Sequence, residues 1–232
     1  MMCTMNREDD PEQVRHLLDQ RGYKRVFWSR PDYKGPEVLC YKAPANGPDV
    51  DGYVFLEKKP EQNAYDVTFG VTCKMAVELL EAAEPALRAS TVIPAHSLGT
   101  PYVALFSAGR LLRCALINIP DRTDPRSLRQ LLDELVELVL QPFVEGPKSC
   151  SDVLSSLRRD DLPFEWIVTN PVKRALHLAA TARALGIDRQ QVERELLAVK
   201  GRLRGDLSRE QVWDNAVRFI VSILWSRVGA RH

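Results

Sequence analysis

Histidine and serine, which often carry acid–base, metal or nucleophilic chemistry, occur here without the spacing that such chemistry requires. The four histidines lie far apart, and none has a second ligand-type residue at metal-site spacing: they are His16, His96, His177 and His232. Ser97 follows His96, but the G-x-S-x-G pattern of a serine nucleophile is absent. No glycine-rich phosphate loop of the P-loop or dinucleotide type occurs. We therefore expect neither a metal nor a cofactor.

The carboxylates do not form a catalytic pair by spacing either. Adjacent or alternate aspartates occur in segments rich in turn residues: they are Asp9 with Asp10, Asp49 with Asp51, and Asp160 with Asp161. Aspartate is favoured in such segments because its side chain bonds nearby backbone amides. An enzyme of an unrecognised type stays open as an alternative. It would need carboxylates, His96 or Cys73 to converge in one pocket.

The cysteines are odd in number and widely spread, with no CxxC or CxC pair: they are Cys3, Cys40, Cys73, Cys114 and Cys150. Three of them lie in or beside apolar segments, where a thiol behaves as a small buried hydrophobe. This pattern indicates no zinc site, and we expect free, unreactive thiols.

One segment near the C-terminus resembles the helix-turn-helix of bacterial DNA-binding proteins. Ala182 allows two helices to approach closely, Gly186 supplies the left-handed residue of the turn, and Val192 anchors the second helix to the first. In a DNA-binding regulator that uses residues 176–200, the second helix would enter the major groove. The side chains that would face bases and phosphates are Arg189, Gln190, Gln191 and Arg194.

Charge argues against this DNA-binding interpretation. Glu193 and Glu195 lie on the same helix and would repel phosphates. The formal net charge is only +1, which gives no global argument for a nucleic-acid partner. Residues 150–232 hold 14 Lys and Arg against 10 Asp and Glu, so the C-terminal part is only mildly basic. An ordinary helical hairpin is the simpler interpretation.

Aromatic and charged residues in and beside the first strands form the candidate partner-binding surface. They are Trp28, Asp32, Tyr33, Lys34, Asp49, Asp51 and Tyr53. Loops of mixed aromatic and charged residues are typical of protein recognition, where a few Trp and Tyr side chains supply much of the binding energy. The alternative is that strand alternation turns half of these aromatics into the core.

Composition indicates an ordered globular chain. Of its 232 residues, 45% are hydrophobic, which is ordinary for a protein with a proper core. No apolar stretch of signal-peptide type follows Met1, and no run approaches the ~18 apolar residues of a membrane span. We therefore expect a cytoplasmic protein without a membrane partner.

The elements that must position these residues begin with a well-signalled helix. Asp10 can cap it, Pro11 takes the first helical position, Gln13 completes a capping box, and Gly22 ends it. Four short segments rich in valine and aromatic residues then lie between turn residues, which predicts an antiparallel meander. These segments are 24–30, 37–43, 52–58 and 65–72.

Two more strands and several helices follow. They are a helix over 73–89, a hairpin of strands 102–107 and 111–119, a helix from Asp124 that ends before Pro142, and C-terminal helices over 171–185, 188–200 and from Ser208. Residues 141–152, with Pro142 inside, are the best linker candidate. We expect an α+β fold: an antiparallel sheet of about six strands with flanking helices in a domain over 1–149, followed by an all-helical C-terminal domain over 150–232.

The order of a short helix, the exit Gly22-Tyr23-Lys24, and strands ending in Phe69-Gly70-Val71 resembles a small α+β domain of immunity proteins. These belong to bacterial toxin systems of the contact-dependent or type VI secretion kind, and the resemblance covers residues 10–90. It implies a cytoplasmic, noncatalytic module that binds a cognate toxin and occludes its active site. We therefore expect a protein-binding module whose partner is such a toxin or another protein.

Overall fold

The computed structural model describes residues 9–26, 38–44, 46–59, 64–93, 104–107, 125–158, 171–199 and 210–226. Backbone proximity divides the chain into two compact units, each made of two stretches of sequence. Unit 1 comprises Met1–Val71 with Leu105–Lys148, and unit 2 comprises Thr72–Ala104 with Ser149–His232. The predicted domains over 1–149 and 150–232 stay a prediction.

The strands form one sheet in which each strand lies beside the next in sequence. They are β1 (Lys24–Val26), β2 (Val38–Lys42), β3 (Val50–Lys59), β4 (Ala64–Cys73) and β5 (Ala104–Ser107). Strands β1 to β4 form an antiparallel meander. In its register Lys42 lies opposite Lys24 on one side and Tyr53 on the other. Because residues directly opposite each other share a face, these three side chains lie on the same face of the sheet.

The α+β class is thus confirmed, but the predicted count of about six strands is not supported. The first strand of the predicted second hairpin, 102–107, is present as the short strand β5. Its predicted partner, 111–119, lies outside the described residues.

The first helix, α1 (Asp9–Gln20), buries Val14 and Leu18, which are one turn apart. It ends as the sequence predicts. Gly22 has a φ of 79°, in the left-handed region that a residue without a Cβ adopts at little cost. The amide of Tyr23 then donates to the carbonyl of Leu18 at 2.9 Å, which satisfies a carbonyl that the helix end would leave unpaired.

The helix near the middle of the chain widens into a π-helix along its length. Helix α3 (Pro125–Leu135) has α-helical bonding and continues directly into the π-helix (Val136–Glu145), which contains Pro142. Proline lacks an N–H, and its ring crowds the carbonyl four residues earlier, so it normally ends a helix. In a π-helix each N–H bonds to the carbonyl five residues earlier, one residue further back than in an α-helix. This longer spacing relieves the crowding. The helix therefore continues beyond Pro142, where the sequence predicts its end.

The end of the π-helix lies directly against the hairpin of β2 and β3. Gly52 permits this approach, because a Cβ at Gly52 would lie 2.6 Å from the carbonyl oxygen of Val144. A Cβ on Gly47 would likewise collide with the carbonyl oxygen of Lys148. The buried side-chain amide of Asn46 donates to the carbonyl of Val144. Only glycine at these two hairpin positions allows the backbones to come so close.

Glu145, the last residue of the π-helix, binds the chain just after α1. Its carboxylate accepts hydrogen bonds from Nε of Arg21 at 2.8 Å and from the hydroxyl of Tyr23 at 3.1 Å, and Nη2 of Arg21 completes a bidentate pair. The hydrogen bond to Glu145 raises the pKa of Arg21, and burial raises the pKa of Tyr23. Arg21 therefore stays charged and Tyr23 stays neutral over the physiological pH range.

Unit 2 is helical, and one of its helices is buried on all sides. Its helices are α2 (Lys74–Arg88), α4 (Cys150–Arg158), α5 (Pro171–Ala184), α6 (Arg189–Ala198) and α7 (Glu210–Ser226). Helix α5 packs against the other four, and every residue from Val172 to Ala182 is buried. Its buried polar residues are Lys173, Arg174, His177 and Thr181.

The predicted linker over 141–152 is mostly helical. The π-helix continues to Glu145, and α4 begins at Cys150. The start of α4 is capped in both directions: the amide of Ser149 donates to the carboxylate of Asp152 at 2.9 Å, and the amide of Asp152 donates to the hydroxyl of Ser149 at 3.2 Å. This reciprocal cap explains why a segment rich in glycine and proline gives way to a helix.

A disulfide joins Cys73 and Cys150 within unit 2. Cys73 is the N-cap of α2 and Cys150 is the first residue of α4, so the bond ties together the starts of two helices that both pack on α5. The expectation of free thiols is wrong for this pair. It is confirmed for Cys40, which is buried and reduced, and whose pKa burial raises to about 12.

The disulfide is also relevant to the cellular compartment of the protein. Disulfides persist mainly in oxidising compartments, and cytosolic ones are usually transient and redox-active. The bond between Cys73 and Cys150 therefore gives no support to the expected cytoplasmic location, which stays a prediction. Across the described ranges, no helix is long and apolar enough to cross a membrane.

We expect that Cys73→Ala combined with Cys150→Ala lowers the free energy of unfolding by about 4 kcal/mol, because the bond removes chain entropy from the unfolded state. The effect is large because the two cysteines lie 77 residues apart. Urea unfolding of the wild-type chain with and without a reducing agent measures this loss of stability. The double variant is the control, since its midpoint should not respond to reduction. If the unfolding midpoint of the wild-type chain does not change on reduction either, the presence of the bond is contradicted.

Candidate functional site

Three side chains on one face of β2 and β3 form a compact group, named here the sheet-face cluster: Lys42, Asp51 and Tyr53. Nζ of Lys42 lies 3.0 Å from Oδ2 of Asp51 and 5.9 Å from the centroid of the Tyr53 ring. The Tyr53 hydroxyl donates weakly to Asp51 at 3.5 Å, and the ring stacks on Phe55 with centroids 6.1 Å apart. The ring of Tyr53 therefore has contacts on several sides.

Strand alternation explains how the sequence produces this cluster. Alternate residues of β3 share a face: they are Asp51, Tyr53 and Phe55. Residues between them, such as Val54, are fully buried on the other face. Lys42 lies opposite both Lys24 and Tyr53, and two lysines directly opposite each other repel. The carboxylate of Asp51 offsets that repulsion from one side.

The sheet-face cluster is partly open to solvent. The side chain of Lys42 is 39% exposed and that of Asp51 is 14% exposed. Burial raises the pKa of Tyr53 to about 12, and the neighbouring negative charge of Asp51 adds to the rise. At neutral pH the cluster thus presents a cation, a partly covered anion and a neutral phenol. Of these three side chains, tyrosine is the type that is enriched at protein interfaces.

The structure brings together two of the residues predicted to bind a partner. Asp51 and Tyr53 belong to the sheet-face cluster, and Asp49 is exposed in the turn before β3. The other predicted residues, Trp28, Asp32, Tyr33 and Lys34, lie outside the described residues. Sequence reasoning missed Lys42, because its role depends on the register that sets it opposite Tyr53.

The predicted helix-turn-helix segment forms α5, a tight turn and α6. Gly186 has a φ of 72°, as the turn requires. Asp188 caps α6, and its carboxylate accepts from the amide of Gln190 at 2.8 Å. Ala182 and Val192 are fully buried between the helices, in the positions that the sequence predicts. The helical hairpin is confirmed, whereas DNA binding stays a prediction.

The glutamates of α6 would repel phosphates less strongly than the sequence alone indicates. All the residues predicted to face DNA are exposed: they are Arg189, Gln190, Gln191 and Arg194. The carboxylate of Glu195 accepts from Nε and Nη2 of Arg158, each at 2.6 Å. Glu193 lies 3.9 Å from Nε of Arg218. Each of the two glutamates thus lies near an arginine of unit 2.

The burial of α5 weakens the likeness to a DNA reader. In a helix-turn-helix the first helix crosses the DNA backbone, so its surface must be accessible. Here Lys173 and Arg174, in the first turn of α5, are only 9% and 8% exposed. Contacts with DNA would therefore depend on α6 with little help from α5.

The candidate catalytic groups do not converge within the described part of the chain. His177 is buried in α5, and burial lowers its pKa to about 3, so it is neutral. His16 lies on the surface of α1, with its ring 2.7 Å from the amide of Gln20. Cys73 is held in the disulfide, and His96 lies outside the described residues. No group of three or more metal-ligand residues occurs among the side chains that the structure describes.

No protein-family model, curated protein or solved structure matches the chain. The resemblance to immunity proteins therefore stays a prediction. A function must follow from the surfaces themselves, which are the sheet-face cluster and the exposed side of α6.

We expect Asp51→Asn to lower the pKa of Tyr53 from about 12 toward the ordinary value of 10.0. The pKa should stay above that value, because burial is the larger cause of the rise and remains in the variant. The Cζ chemical shift of labelled tyrosine, followed against pH by NMR, measures the change. Tyr41 is the internal control: burial raises its pKa too, but it lies on the opposite face and should not respond. An unchanged Tyr53 would contradict the contact with Asp51.

Proposed function

We propose that this protein is a noncatalytic protein-binding module, and that it is an immunity protein which neutralises a cognate bacterial toxin by covering its active site. The observation that carries the proposal is the sheet-face cluster, in which a tyrosine contacts both members of an ion pair. The resemblance of residues 10–90 to immunity proteins supplies the kind of partner.

The sheet-face cluster has the properties of a binding anchor. Tyrosine combines a large apolar ring with a hydroxyl, and it is among the residues that dominate protein interfaces. The ring of Tyr53 already contacts Lys42, Asp51 and Phe55, so part of its side-chain freedom is lost before binding. The two charges beside it supply steering and specificity. Preorganisation of this kind favours a tight complex.

The proposed mechanism is steric. Asp49 is exposed next to the cluster in sequence, and the connection between β1 and β2 carries Trp28 and Tyr33 together with charged residues. In the proposal, these side chains enter the cleft of the toxin, and the charged residues select the cognate toxin over others. No chemical step by this chain is required, because occlusion alone stops the partner's activity.

The test is capture of the partner by the tagged chain from its native cells, followed by an assay of the captured protein's enzymatic activity. We expect a stoichiometric complex whose enzymatic activity falls as the chain is added. Tyr53→Ala should raise the Kd at least ~5-fold, which corresponds to the ~1 kcal/mol expected for an anchor. The same variant should inhibit the captured protein less, in proportion to the loss of affinity.

Glu137→Ala is the matched control, because Glu137 is exposed on the π-helix of the same unit. This variant should leave the Kd unchanged. No effect of Tyr53→Ala would remove the sheet-face cluster from the interface. A partner whose enzymatic activity survives saturation would refute the immunity role and leave a binding role.

A DNA-binding regulator that uses residues 176–200 is the second candidate. The observation that favours it is the orientation of α6, whose Arg189 and Arg194 are exposed while Glu193 and Glu195 face arginines of unit 2. With α5 buried, the two exposed arginines would make the phosphate contacts.

Fluorescence anisotropy of a labelled DNA duplex over a salt series tests this candidate. Affinity should fall steeply with salt, because neutralised phosphates release counterions. Arg189→Ala with Arg194→Ala should reduce the slope of log K against log salt by about 2. Arg129→Ala, at an exposed position of α3, should leave the slope unchanged. No binding at low salt would remove the candidate.

A further inference from the structure

Unit 2 contains a cavity of about 210 Å³ lined by residues of α4, α5, α6 and α7 and by Val199 just after α6. Its walls are mostly apolar and include Leu178, Leu196 and the indole of Trp213. Three charged residues also line it: they are Arg158, Arg174 and Glu195. None of these residues belongs to the sheet-face cluster or to the exposed arginines of α6.

The volume of the cavity sets the class of ligand. A dry apolar cavity of ~150 Å³ accepts benzene, whereas drug-sized ligands occupy ~300–1,000 Å³. At about 210 Å³, this cavity matches one substituted aromatic ring. This volume would not enclose a nucleotide or a peptide.

Trp213 gives such a ring a rigid wall. Its side chain is 1% exposed, and its indole Nε1 donates to the carbonyl of Leu196 at 2.9 Å. The plane of the indole is therefore fixed. Aromatic rings pack favourably against one another in offset or edge-to-face arrangements, so the wall selects an aromatic ligand over an extended aliphatic one.

The charged residues select the polar group of the ligand. Arg158 and Glu195 are 35% and 28% exposed, so this pair lies toward solvent. Glu195 engages Nε and Nη2 of Arg158, and Nη1 carries two further N–H donors. Arg174 lies deeper, and its Nε donates to the carbonyl of Leu157 at 2.8 Å. The two N–H donors on Nη1 of Arg158 suit an anion, and a carboxylate matches the geometry of a guanidinium group.

From this geometry we infer that the cavity is a binding site for a small aromatic carboxylate. The ring lies against Trp213 and the leucines, and the carboxylate points toward Arg158 at the open side. This site is independent of the proposed function, because it involves neither the sheet-face cluster nor a macromolecular partner.

Benzoate is the probe, and the indole N–H resonance of Trp213, assigned with Trp213→Phe, is the reporter. We expect a saturable shift of this resonance in the wild-type chain, with a Kd of the order of 1 mM or below. Benzyl alcohol and benzylamine have the same ring without the negative charge. They should bind at least ~10-fold more weakly, because each lacks a charge-assisted hydrogen bond to arginine.

Ala198→Met tests the location, because Ala198 lines the cavity from the exposed end of α6 and a longer side chain there fills it. It should weaken benzoate binding at least ~10-fold. Gln191→Met is the matched control on the exposed side of the same helix, and circular dichroism melts check that both variants fold. The site is refuted by no saturable shift at Trp213, by equal or better binding of benzylamine, or by unchanged benzoate binding in Ala198→Met.

Discussion

Unit 1 depends on how closely the end of the π-helix can approach the hairpin of β2 and β3. A side chain at Gly47 or Gly52 would meet backbone carbonyl oxygens, which cannot move aside as the end of a flexible side chain can. Once the backbones are in contact, Glu145 adds hydrogen bonds to Arg21 and Tyr23. One face of the hairpin therefore packs against the end of the π-helix. The other face carries the sheet-face cluster, so packing on one side determines which residues lie on the other.

The sequence predicts those features that depend on residues close together in the chain. Gly22 and Gly186 end their helices in the left-handed conformation, and Asp188 caps the next one, because each acts within a single turn. The predicted strand 52–58 begins one residue after Asp51, whereas β3 begins at Val50, so alternation along β3 puts Asp51 and Tyr53 on one face. Lys42 escapes such reasoning, since its place beside Tyr53 is set by the pairing of two strands. A shift of one residue in that register would send it to the opposite face.

Features that depend on distant packing were not predictable. Cysteine spacing does not determine connectivity, and Cys73 meets Cys150 only because α2 and α4 both pack on α5. Helix α5 carries cationic and polar residues at buried positions, so its pattern does not reveal a central helix. Pro142 signals a helix end, yet π-type bonding carries the helix past it. The cap formed by Ser149 and Asp152 was a usable local signal for α4 that the glycine and proline content of the segment obscured.

The bond between Cys73 and Cys150 makes part of the chain a closed ring. The ring contains all of α2, α3 and the π-helix, whereas the strands β1 to β3 and helices α5 to α7 lie on the two tails. One proteolytic cut inside the ring opens it but leaves a single covalent molecule, whose pieces separate only after reduction. One cut in either tail leaves the fragment beyond it attached by noncovalent packing alone. Whether a nicked chain stays one covalent molecule therefore depends on which side of a cysteine the cut falls on.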